Sequence, residues 1–68
     1  MRFNEFKKEM KKFGKSYEYV GFIEDKGRKV RGYQEFINNG MTSVGEPITS
    51  DHFQAIVDYY NDMSEHLI

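Results

Sequence analysis

Phe36-Ile37-Asn38-Asn39-Gly40-Met41-Thr42-Ser43-Val44 sets an Asn-Gly pair between two apolar runs. That dipeptide tolerates the left-handed backbone of a two-residue type I′ turn, so the stretch predicts a hairpin returning residues 41–44 as an antiparallel strand. Upstream, residues 28–38 form the strand that enters the turn. Gly32 within it is expected to mark a bulge where alternation changes phase between Val30 and Tyr33. Further back, residues 16–24 are rich in Tyr, Val, Phe and Ile and predict a first strand. Tyr17, Tyr19 and Ile23 are expected on one of its faces, Val20 and Phe22 on the other. Asp25-Lys26-Gly27 joins the two strands as a short turn, with Gly27 at the positive φ of a hairpin bulge.

Helices flank this meander. Phe3, Phe6, Met10 and Phe13 recur at helical spacing, with Lys7, Lys8, Lys11 and Lys12 opposite them. Asn4 is the expected N-cap, Glu5 suits the positive end of the helix dipole, and Gly14 is expected to end the helix left-handed. Beyond the third strand, Gly45-Glu46-Pro47 is expected to leave the sheet and Thr49 to cap a second helix. Ile48 and Phe53 fit a hydrophobic staple across that cap, and Asp51 favours its first turn. Phe53, Ile56, Val57, Tyr60, Met63 and Leu67 continue as one apolar stripe, with Asp58, Asp62 and Glu65 facing water. The fold class is therefore α+β in the order α-β-β-β-α: a three-stranded antiparallel meander with two helices packed on one face.

Residues 1–68 are read as a single small domain. A chain this short buries only about 60% of the surface its unfolded form exposes. Without cysteine no disulfide staples it, so six Phe and five Tyr must supply the packing. Charges interrupt every N-terminal window, which excludes the apolar core of a secretory signal, and no run approaches the roughly 20 apolar residues of a membrane span. A cytoplasmic location is expected, in a bacterium or in the host of a phage.

Catalytic chemistry finds little support. Cysteine nucleophiles are absent, there is no Gly-rich phosphate loop, and a serine triad needs a cleft this chain hardly affords. His52 and His66 stand fourteen residues apart on one helix, about 21 Å at 1.5 Å per residue, too far to share a metal. Asp62 and His66, at i and i+4, read as a solvated pair rather than half a metal site. No enzyme activity, catalytic residue, metal or cofactor is expected.

Charge carries the functional signal. All ten lysines and arginines fall between Arg2 and Arg31; that segment has a net charge of +5, and the 37 residues from Gly32 onward carry −6. The candidate basic surface comprises Lys7, Lys8, Lys11, Lys12, Lys15, Lys26, Arg28, Lys29 and Arg31, interleaved with Tyr17, Tyr19 and Tyr33. The candidate acidic surface comprises Asp51, Asp58, Asp62 and Glu65. Tyr33, Phe36 and Tyr59 are the candidate aromatic contacts.

The element order resembles that of the double-stranded-RNA-binding domain. That family carries lysines at the start of its last helix, where this chain has Thr49-Ser50-Asp51-His52, so its function does not transfer. In size and topology the chain is also similar to small, cysteine-free proteins of phages and mobile elements, some anti-CRISPR inhibitors among them. That likeness implies a stoichiometric binder and modulator of a host protein. The expected function is a non-enzymatic protein-interaction module. The alternative is a nucleic-acid-binding domain using the first helix and first hairpin. Another protein is the expected partner, a second copy is possible because the two charged segments attract each other, and no membrane is involved.

Overall fold

The computed structural model describes residues 1–66, the His66 side chain excepted. Its elements run α1 (Phe3–Lys12), β1 (Ser16–Asp25), β2 (Arg28–Ile37), β3 (Thr42–Ile48), a 3-10 turn (Ser50–His52) and α2 (Phe53–His66). The three strands form one antiparallel sheet in the order β1-β2-β3. The α-β-β-β-α architecture expected from the sequence is the one observed.

Tyr17 and Tyr33 project from one face of this sheet, since Tyr19 pairs with Tyr33 and Tyr17 with Glu35. Phe6 and Met10 of α1 and Phe53 and Val57 of α2 close over them as one buried cluster. Its rings interlock: Phe6 stacks on Phe53 at 4.3 Å and meets Tyr17 edge-on at 4.9 Å, while Phe3 stacks on Tyr33 at 4.4 Å. Pairs of this kind add about 0.5–1.5 kcal/mol each beyond the area they bury, which is how the domain holds without disulfides. The opposite face carries Ser16, Glu18, Phe36 and Ser43.

The two helix starts depart from expectation. Arg2, not Asn4, occupies the N-cap of α1; its carbonyl accepts the Phe6 N–H at 3.0 Å, and no side chain caps the turn. Asn4 already lies inside the helix because Phe3 must start the stripe that reaches the core. At the other end Gly14 takes φ +74° as expected, and its N–H donates to the Lys11 carbonyl while the Lys15 N–H donates to Met10. These two bonds make a Schellman ending. Thr49 sits at the N-cap of the 3-10 turn, which leads into α2, but caps by backbone alone. Its carbonyl accepts the His52 N–H at 3.1 Å, and its buried hydroxyl has no hydrogen-bond partner. Ile48 packs against the cluster that contains Phe53, as the staple requires. Leu67, expected to extend the stripe, lies outside the described residues.

Four features of the sheet differ from the reading. The bulge lies in β1: Tyr19 pairs with Tyr33 and Gly21 with Gly32, leaving Val20 extra and Gly21 at φ +93°. Beyond it the faces exchange. Phe22, opposite Arg31, joins the face of Tyr19, and Ile23, opposite Val30, crosses to the other side. Gly32 keeps regular pairing and serves a different need, since a Cβ there would lie 2.6 Å from Ile23 Cγ2. Between β1 and β2, both Lys26 and Gly27 are left-handed, giving a two-residue type I′ turn with Asp25 paired to Arg28 and no bulge.

The Asn-Gly connection is a four-residue loop. Ile37 pairs with Thr42, Asn38, Asn39 and Gly40 are all left-handed, and the Met41 N–H donates to the Asn38 carbonyl. Nor does Gly45-Glu46-Pro47 leave the sheet: it bulges from β3 between the Glu35–Val44 and Tyr33–Ile48 pairs. Gln34 holds that bulge by donating its amide to the Val44 and Gly45 carbonyls at 2.7 and 2.8 Å, which accounts for a buried glutamine. Pro47 is tolerated because β3 is an edge strand.

Candidate interaction surface

Folding divides the cations into those spent on the protein's own charges and those left over. Lys7 pairs with Glu18 at 3.0 Å, Lys12 with Glu9 at 3.1 Å and Lys15 with Glu35 at 3.9 Å. Lys7 also sits over the Phe3 ring and Lys15 over the Tyr60 ring. These three belong to the flank of α1, and the nine-residue basic surface shrinks accordingly. Lys8, Lys11, Lys26, Arg28, Lys29 and Arg31 form no ion pair among the described residues. Four of these six ride on the β1–β2 hairpin. Glu24 stands opposite Lys29 and Asp25 opposite Arg28 in register, yet neither couple closes into an ion pair.

The same hairpin exposes apolar surface. Phe22 is 65% exposed and Tyr19 47%. The β1 bulge is the cause, because it places Phe22 on the helix-bearing face at a point beyond the helices' cover. Tyr19, Tyr33, Phe3 and Arg31 line a shallow groove of about 260 Å³ beside it. A second open groove of about 570 Å³ runs between the start of α1, the outer part of β2 and the turn leading into α2. Arg2, Arg31, Asp25 and Asp51 all line it and do not pair with one another. It exists because β3 stops opposite Tyr33, leaving residues 28–32 of β2 without a strand on that side.

Tyr33 is not a surface contact: it is 7% exposed and locked between Phe3 and Phe53. Phe36 is half-buried on the face opposite the helices. Tyr59 is 60% exposed on α2, its ring edge-on to Tyr60. Asp51, Asp58, Asp62 and Glu65 are all exposed; Asp58 accepts a hydrogen bond from Gln54 at 3.0 Å. The Asp62–His66 pair involves a side chain outside the described ones. Tyr17 carries a shifted acidity. Burial first, then the charge of Glu35 and the neighbouring Tyr60, together with its hydrogen bond to Glu35, push its hydroxyl from 10.0 to about 12.

Phe22 is the exposed ring that sequence reasoning did not single out. Its signal was Gly21, which is bulge-prone, but alternation alone placed Phe22 with Val20. No family model matches the chain, and comparison with curated proteins and with solved structures gives no significant match.

Proposed function

We propose that this protein is a non-enzymatic interaction module that binds another protein through its β1–β2 hairpin. Phe22 and Tyr19 are the apolar anchors, and Lys26, Arg28, Lys29 and Arg31 steer the module to an acidic partner surface. The observation that carries this reading is the coincidence, on one hairpin, of exposed rings with cations that fold chemistry leaves unpaired. Aromatic and arginine side chains dominate binding energy at protein interfaces, and unpaired charge raises association rate and partner selectivity. Such a module fits a cytoplasmic phage or mobile-element protein that inhibits a host protein by occupying it. Capture from cell extract tests it: the tagged protein retains a partner that Phe22→Ala and Arg31→Ala each weaken at least tenfold, with unchanged circular dichroism. Undiminished capture of the same partner by both variants contradicts the reading.

A second reading is favoured by the same six free cations. Exposed Tyr19 and Phe22 offer faces on which bases stack, so the surface also suits single-stranded nucleic acid. Fluorescence anisotropy with labelled oligonucleotides separates the two. Binding that weakens steeply with salt supports the nucleic-acid reading, and no binding at low salt removes it.

A further inference from the structure

We infer that a second copy of this chain is a partner of the hairpin, docking it head-to-tail against α2. This rests on the hairpin being the contact surface, as proposed above. Residues 24–31 carry four cations and two acids. The 3-10 turn and α2 carry Asp51, Asp58, Asp62 and Glu65 with no lysine or arginine. Among the described residues the two surfaces leave each other unsatisfied: Asp51, Asp58 and Glu65 make no ion pair there, nor do Lys26, Arg28, Lys29 and Arg31.

The apolar content matches as well as the charge. Beside the acidic row of Asp58, Asp62 and Glu65, α2 leaves Tyr59 and Met63 60% and 42% exposed, while the hairpin exposes Phe22 and Tyr19 on the sheet face that also carries Lys29 and Arg31. A ring and a thioether beside acids meet rings beside cations. The contact joins unlike surfaces, so each molecule keeps one free hairpin and one free α2 face, and association proceeds as an open series rather than stopping at a dimer.

Sedimentation equilibrium over a concentration series, at about 20 mM and about 300 mM salt, reads this directly, because screening shortens from roughly 20 Å to below roughly 8 Å. At low salt the wild-type mass rises continuously above the monomer; at high salt it returns toward it. Arg28→Glu with Lys29→Glu, and separately Asp58→Lys with Glu65→Lys, are each monomeric at low salt. Mixed in equal amounts, these two variants associate again, since the intact hairpin of one meets the intact α2 face of the other. A wild type that stays monomeric at low salt overturns the inference, as does association that either charge reversal leaves unchanged. If the wild type is monomeric while Phe22→Ala still abolishes capture of a different protein, the hairpin reading stands and only the second copy falls. If Arg28→Glu with Lys29→Glu leaves both association and capture intact, both fall.

Discussion

At the residue scale, the two glycines that face each other across the first hairpin do different work. Gly21 supplies a left-handed backbone, whereas Gly32 supplies space for Ile23. Gly32→Ala is expected to cost about 1–3 kcal/mol in urea denaturation, since a methyl group is forced against a β-branched side chain. Ile23→Ala in the same chain recovers part of that loss. Tyr17 gives a second expectation. Its hydroxyl ionises near 12 when folded against 10.0 when free, so the unfolded chain releases its proton first. The stability owed to the neutral phenol is complete below pH 10 and is lost as pH rises from 10 towards about 12. Denaturation at pH 9 and pH 11 checks the sign; a Tyr17→Phe variant removes that contribution. The spacing of Phe3, Phe6, Met10 and Phe13 made the core of α1 legible, because helical periodicity is a property of sequence alone. The role of Gly32 was not, because what a missing Cβ makes room for depends on which strand lies beside it.

At the element scale, the same limit explains the turns. The sequence reading sets the bulge at Gly32, and only the pairing shows that β1 holds the extra residue instead. Phase beyond the bulge then decides whether Phe22 or Ile23 reaches the helix-bearing face, and with it the composition of the candidate site. In the Asn-Gly loop, Asn38 tolerates the left-handed region as well as Asn39 does, so the turn widens and β3 begins at Thr42 rather than at residue 41. The Lys26-Gly27 turn holds a lysine at φ 52°, where a Cβ is disfavoured. Lys26→Asn is expected to raise the unfolding free energy by about 0.5–1 kcal/mol, read from the midpoint of a urea titration. An unchanged or lowered midpoint contradicts a type I′ turn there.

At the scale of the whole molecule, the segregation of charge visible along the sequence survives folding, in a sharper form. The lysines of α1 split between internal pairs and solvent, and the hairpin keeps its cations free in a molecule 41 Å long and 25 Å across. A chain of this size has few kcal/mol of stability to spare, and surface charges that hold no partner contribute little of it. Under the proposed function, binding rather than folding is what those cations serve. The most direct test is the melting temperature of the triple variant Lys26→Gln, Arg28→Gln, Lys29→Gln, followed by circular dichroism. Exposed positions without partners shift stability by no more than about 0.5 kcal/mol each, about 1.5 kcal/mol for the three, so a melting point within roughly 12 °C of wild type is expected. A fall of about 15 °C or more would show that these charges hold the fold together and contradict the account.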